Sequence, residues 1–259
     1  MALVRGRRCW SWHSIGGRRR PGRLRRRAMR AAVLVGIAFL AVTLAAVVYE
    51  LSLPGVGNAQ ARIVRLVRSH RGTVGRAPVP AKLGMAVVAV EDENFYSNIV
   101  IDVFEGIARA GLASVSSTGD PGGSTIEQQL AKQLYPQASG ISGSMRELGL
   151  GVKLGLTYSR TAILAMYLNS IYYGNHYWGY VAAAQGYFGV QPARLDWAQA
   201  AMLAGLPQAP SAYDPLHHFS VAKQRQLHVL DQLVVNHDLS KALASTVYRQ
   251  RLHLVRRGQ

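Results

Sequence analysis

Between Ala31 and Tyr49 run nineteen residues without a charge, rich in Ala, Val, Leu, Ile and Phe, and this stretch limits the folds open to the 259-residue chain more than any other. At about 1.5 Å per residue, a helix of that length just crosses a hydrocarbon core. Residues 1–30, directly before it, hold eleven arginines, no lysine and no acid, and the first acid of the chain, Glu50, follows at once. Basic flanks stay in the cytoplasm. The pattern therefore predicts a cytoplasmic Arg-rich head (1–30), one transmembrane helix (31–49) and an extracytoplasmic remainder, a single-pass type II topology in a cytoplasmic membrane. Ala59-Gln60-Ala61 has the small-residue form of a signal-peptide cleavage site, but it lies ten residues beyond an apolar run longer than a signal core. An uncleaved anchor is the expectation.

The formal charge of +17 is concentrated in that head: outside it, 19 basic residues face 13 acidic ones. A basic chain raises nucleic-acid binding, yet the arginines abut an apolar span with no interleaved aromatic platform, so no nucleic-acid partner is expected. Cys9 is the single cysteine, which excludes an intramolecular disulfide and a thiolate metal cluster. Nearly half of the residues are hydrophobic, enough to bury a sizeable core.

After the anchor, Pro54, Gly55 and Gly57 mark a loop, 62–68 reads as helical, and a breaker-rich stretch runs from Gly72 to Pro80. Residues 50–80 are expected to form a juxtamembrane tether and 81–259 the main domain. From Ala81 the patterns are helical. Ile163, Leu164, Tyr167, Leu168 and Ile171 recur at the spacing of one helix face, and Asp196 can cap a helix carrying Ala198, Met202 and Leu206. Further helices are expected around Val221–Val235 and Lys241–Leu254, with 119–123 and 136–143 as the principal loops. The class is mainly α.

Two acid-bearing segments stand out, Glu91-Asp92-Glu93-Asn94-Phe95-Tyr96 after an apolar run and Met145-Arg146-Glu147 after a Gly/Ser stretch. Carboxylates in a partly apolar cleft are the usual general bases. Between them lies Pro121-Gly122-Gly123-Ser124-Thr125-Ile126-Glu127-Gln128-Gln129-Leu130-Ala131-Lys132. A Gly-rich turn leading into a helix presents N–H groups and hydroxyls to an anion, and Gln128, Gln129 and Lys132 add donors on the first turns. Taken singly, an acidic dipeptide is usually a solvated helix end and such a turn only a capped helix start.

In this order, the motifs resemble the bacterial peptidoglycan glycosyltransferases, lysozyme-like enzymes found alone or as the first domain of bifunctional penicillin-binding proteins. The resemblance spans about 87–215. It rests on Glu91-Asp92-x-x-Phe95-Tyr96, on Gly122 to Lys132, on Tyr158-Ser159-Arg160 with Ile163-Leu164 and Tyr167-Leu168-Asn169, and on Ala204-Gly205-Leu206-Pro207-Gln208-Ala209-Pro210. It implies an inverting transferase that polymerises lipid II, a lipid-linked disaccharide-peptide, into glycan strands with release of polyprenyl pyrophosphate. Glu91 takes the place of the general base, supported by Asp92 and Phe95, and Glu147 that of the second functional glutamate. Ser124, Thr125, Gln128, Gln129, Lys132 and Arg146 match substrate contacts, together with Asn98 in the first motif. The resemblance also leaves room for a divalent cation, Mg or Mn, at Glu91 and Asp92. The implied partners are lipid II, the growing lipid-linked strand, the cytoplasmic membrane and other cell-wall synthesis or division proteins.

The sequence departs from that pattern in places that bear on activity. Asn98 stands where His is usual, Val100 where Gly is usual, and Gly143-Ser144 where an Arg-Lys pair is usual. A cation missing beside a pyrophosphate takes with it a charge-assisted hydrogen bond worth about 1.5–3 kcal/mol. Gly155, Ala165 and Gln199 replace common acids of structural helix pairs. A non-catalytic relative that binds precursor or scaffolds wall-synthesis proteins is the alternative, and a glycan hydrolase on the same fold ranks behind it. The forty-four residues after Pro215 leave no room for a transpeptidase domain.

Overall fold

The computed structural model describes residues 21–76, 78–96, 124–135 and 140–255, without the side chains of 21–24 and 141. It divides into two units, the first ending at Ser52 and the second beginning at Leu53. The first contains helix α1 (Pro21–Ser52), of which Arg25–Ser52 is long and apolar enough to cross a membrane. The helix thus extends past both ends of the uncharged 31–49 run.

The second unit is built from α2 (Ala59–Ser69), α3 (Ala81–Glu91), α4 (Ile126–Leu134), α5 (Ile141–Thr157), α6 (Arg160–Ser170), α7 (Tyr180–Phe188), α8 (Trp197–Gly205), α9 (Phe219–Val235) and α10 (Lys241–Arg249). Among the described residues there is no strand, only an isolated antiparallel bridge between Tyr172 and Trp178. The mainly α expectation holds.

Two expected boundaries move. Leu53, Val56, Ala59, Ile63 and Val67 are buried in the domain core, so 53–69 is part of the compact unit and not a separate tether. Lys153 Nζ donates to the Leu53 carbonyl at 2.9 Å and the Tyr158 hydroxyl to that of Val56 at 2.9 Å, which fixes the segment against the end of α5. The expected 136–143 loop is the second correction: α5 begins at Ile141, because Gly140, at φ 78°, turns the chain into the helix and places Gly143 inside it. The other expected loop, 119–123, lies outside the described residues.

Helix starts follow local chemistry. Ser159, Asp196 and Ser240 cap α6, α8 and α10, each side chain accepting a backbone N–H three residues on. At Asp196 the cap is doubled, since Gln199 Oε1 reaches back to the Asp196 N–H at 3.2 Å. Helix α6 buries every residue from Ile163 to Ser170 and α8 every residue from Ala198 to Gly205. The one-face pattern read for α6 therefore understates its position: it is a central helix wrapped on all sides. Helix α4 packs on α5 and α6, while α8 packs on α3 and α9. Each large side chain buried in this core contributes about 1.5–3 kcal/mol. The segment entering α3 is held by Asn169, whose Oδ1 accepts the Gly75 N–H at 2.7 Å while its Nδ2 donates to the Gly75 carbonyl at 2.9 Å.

Candidate active site

Glu91 is the last residue of α3 and Asp92 its C-cap, so the apolar helix Ala81–Glu91 delivers two carboxylates where its backbone leaves helical geometry. They point to different partners. Asp92 Oδ2 accepts the Ile126 N–H at 3.1 Å, at the exposed-donor end of α4. Glu91 Oε2 accepts from Gln129 Nε2 at 3.0 Å, one turn further along the same helix. The same amide nitrogen donates to the Ser124 carbonyl at 3.3 Å, and the Gln129 carbonyl oxygen accepts from the fully buried Tyr167 hydroxyl at 2.8 Å.

Thr125 and Gln128 close the start of α4 as a capping box: Thr125 Oγ1 accepts the Gln128 N–H at 3.3 Å, and Gln128 Oε1 accepts the Thr125 N–H at 3.2 Å. Both side chains are thus engaged in holding the turn. Glu127, deeper on the same helix, pairs with Arg160, whose guanidinium also lies over the buried Phe95 ring at 5.2 Å. That places Phe95 and the Tyr158-Ser159-Arg160 motif in a brace behind α4. Gly151 on α5 allows the close approach, since a Cβ there would stand 3.2 Å from both Gln128 N and Gln128 Cγ.

In front of α4 a cleft of about 560 Å³ opens between α3, α4, α5 and α9. Glu91 and Glu147 line it, with Ser124, Gln129 and Lys132 from the second motif, Pro207 and Gln208 from the fourth, and Arg225 and His228 from α9. A second cavity of about 310 Å³ adjoins it across Gln129, Gln133 and Pro207, walled by Tyr172 and Trp178 among others. Of the residues expected in the site, Glu91, Glu147, Ser124, Gln129 and Lys132 thus share one cleft. Asp92, Phe95, Thr125 and Gln128 stand behind it, Arg146 is not among its lining residues, and Asn98 lies outside the described residues.

Arg225 belongs to none of the sequence motifs. It sits on α9, well beyond the acid motifs, and its Nε donates to the Gly205 carbonyl at 3.2 Å across a glycine whose added Cβ would meet Arg225 Cγ at 2.8 Å. The signal available was Gly205 itself, inside the fourth motif at a helix–helix crossing. Burial pushes the Glu91 carboxyl above the ordinary range; the Gln129 hydrogen bond and the positive charge of Arg225 pull the other way without cancelling it. A carboxylate of raised basicity in a partly dry cleft is equipped to take a proton near neutral pH.

Glu91 and Asp92 make a poor preformed metal cage. One carboxylate is turned to Gln129 and the other to the Ile126 amide, and among the described residues no group of three or more His, Cys, Asp and Glu is assembled. A magnesium-type ion could enter only by sharing its coordination with substrate oxygens.

These features define a helical domain with a carboxylate cleft, preceded in the chain by an apolar helix of membrane-spanning length. The chain belongs to the Transglycosylase family, whose model matches residues 59–234. It is 36% identical over 181 residues to a Cupriavidus necator protein provisionally named a transglycosylase, covering 68% of this chain and 78% of that protein. It is 37% identical over 179 residues to penicillin-binding protein 1A of Neisseria flavescens, covering 68% of this chain but only 22% of that protein. The crystal structure of penicillin-binding protein 1A from Haemophilus influenzae aligns with 70% of this chain and 18% of its own, at 22% identity and a TM-score of 0.43.

Proposed function

We propose that this protein is a peptidoglycan glycosyltransferase that polymerises lipid II at the outer face of the cytoplasmic membrane. The observation that carries the proposal is the Glu91 carboxylate, raised in basicity and hydrogen-bonded to Gln129, in a cleft shared with Glu147, Lys132 and Arg225.

In this reading Glu91 removes the proton from the sugar 4-hydroxyl of the incoming lipid II. The freed oxygen bonds to the anomeric carbon of the growing strand from the face opposite its phosphate. The bond from that carbon to the polyprenyl pyrophosphate breaks, with inversion. Charge grows on the leaving pyrophosphate as it departs, so the grip of cations on it strengthens in the transition state. Lys132 and Arg225 are basic side chains that line the cleft. Arg146 is assigned to the donor side by its place next to Glu147 on α5, one residue from the cleft lining. Mg or Mn, if held by Glu91 and Asp92 together with the substrate, would supply further charge neutralisation.

The second reading, a precursor-binding relative without turnover, draws on Gly143 and Ser144, which leave the first turns of α5 without the expected cations. One assay separates the two: full-length protein incubated with fluorescent lipid II, with and without divalent metal, products resolved by length. Glycan ladders support the transferase, and retention of labelled precursor without any product supports the relative. The type II orientation is part of the proposal, and a reporter fused after Gln259 that works only in the cytoplasm would reverse it.

A further inference from the structure

Gln129 stands at the centre of three polar contacts whose directions are all determined. The Ser124 carbonyl at 3.3 Å can only accept a hydrogen bond, and so can the ionised Glu91 carboxylate at 3.0 Å. The amide nitrogen must therefore face both, and the amide oxygen faces away from the cleft toward Tyr167. There the phenol must donate, at 2.8 Å. Tyr167 is completely buried, and burial, with the negative charge of Glu91 close by, lifts its hydroxyl well above the ordinary phenol range. The hydroxyl keeps its proton and remains a donor at any working pH.

An unrestrained amide could turn by half a rotation and offer its oxygen to Glu91, an arrangement that repels the carboxylate and leaves the base misaligned. In this protein the buried phenol opposes that turn. We propose that Tyr167 is a positioning residue for the reaction: by holding the Gln129 oxygen it keeps the amide N–H end on Glu91 and so fixes the carboxylate where it meets the substrate hydroxyl. The path runs from the central helix α6 through α4 to the end of α3, and Tyr167 itself never touches substrate. This role rests on Glu91 being the base, as proposed above.

The test is a double-mutant cycle in the full-length protein, with kcat and KM for lipid II as readouts and thermal unfolding as the fold control. Polymerisation by wild type and its loss in Glu91→Gln come first, and failure there removes the functional reading, not the relay. With that in place, Tyr167→Phe should lower kcat about three- to tenfold, the range of one neutral hydrogen bond, and leave KM within a factor of about two. In a Gln129→Ala background the same substitution should change kcat by less than about twofold, because no amide remains to be oriented. A fall that persists undiminished in that background, or full kcat in Tyr167→Phe, overturns the proposal. Gln129→Glu probes the contact without disturbing the core: its carboxyl group can still accept from Tyr167 but brings no N–H to Glu91. It should lose at least about tenfold in kcat, and wild-type turnover there overturns the proposal even if Tyr167→Phe does not fold.

Discussion

Glu127 and Arg160 form an ion pair on the buried side of α4, with side chains only 5% and 22% exposed, and the Arg160 guanidinium spends its other face on the ring of Phe95. The pair therefore joins three motifs without reaching the cleft. Arg160→Ala removes a charge-assisted contact from a buried carboxylate and should destabilise the domain by about 1.5–3 kcal/mol. Adding Glu127→Gln should recover part of that stability. Denaturant unfolding of the two variants measures both quantities; an Arg160→Ala protein as stable as wild type would show that the brace contributes nothing.

For Glu91, activity and stability should move in opposite directions. Glu91→Gln should lower polymerisation by about a hundred- to ten-thousand-fold, the usual range for removal of a general base. The folded state raises the Glu91 carboxyl, so it holds that proton more tightly than the unfolded chain does. Stability from this group is thus present at acid pH and declines as pH rises from the ordinary carboxyl range through the raised value. Glu91→Gln should melt higher than wild type at neutral pH, with the gain shrinking on acidification. Equal melting temperatures at neutral and acid pH would contradict the sign of the shift.

Arg225 holds the Glu91 carboxyl down against burial. With the cation removed in Arg225→Met, that carboxyl should rise further, and the acid limb of the rate profile should move to higher pH. If Arg225 grips the leaving pyrophosphate as proposed, kcat/KM should also fall by about tenfold or more. Gly205→Ala should give a weaker form of the same behaviour by displacing Arg225 Cγ. A pH–rate profile with an unmoved acid limb would place Arg225 outside the site.

Gly151 tests the seat of α4. Replacing glycine inside a helix normally gains up to about 1 kcal/mol, but a side chain here would press on the Gln128 backbone. Gly151→Val should cost about 1–3 kcal/mol through overpacking and reduce polymerisation along with it, because the residues displaced carry Ser124 and Gln129. A stable and fully active Gly151→Val protein would show that the α4–α5 contact is slack.

The donor side can be probed from α5. Arg146→Ala and Glu147→Gln should lower turnover more than acceptor binding, and Ser144→Lys should raise the rate or relieve a requirement for divalent metal. Ser144 is exposed whereas Gly143 is buried, so Lys at 144 is the substitution the fold accommodates. Full turnover in both Arg146→Ala and Glu147→Gln would return them to ordinary surface roles.

The cap at Asp196 was legible because it depends on local chemistry, and the motif order placed Glu91, Ser124, Gln129 and Lys132 as candidates that line one cleft. Roles that depend on tertiary partners were not legible. Thr125 and Gln128 look like ligand donors in the sequence, and in the fold their side-chain oxygens also close a capping box. Asp92 is expected to support Glu91, and the amide it receives, that of Ile126, comes from a helix start that the sequence does not bring next to it. Arg225 reaches the cleft only because α9 folds back over Gly205, and Tyr167 reads as one position of an apolar helix face although its hydroxyl has a directed polar contact.

Glu91 and Asp92, neighbours in the chain, clasp the same helix at two points three residues apart, one through a side-chain amide and the other through the backbone. Assembly and competence are thereby tied together. A domain in which α4 has not yet docked lacks both the Glu91–Gln129 contact and the Asp92–Ile126 contact, so the two are gained or lost in one step. A one-residue insertion or deletion within Ala81–Glu91 would rotate the pair by about 100°, pointing both carboxylates away from their partners in a chain whose composition had scarcely changed.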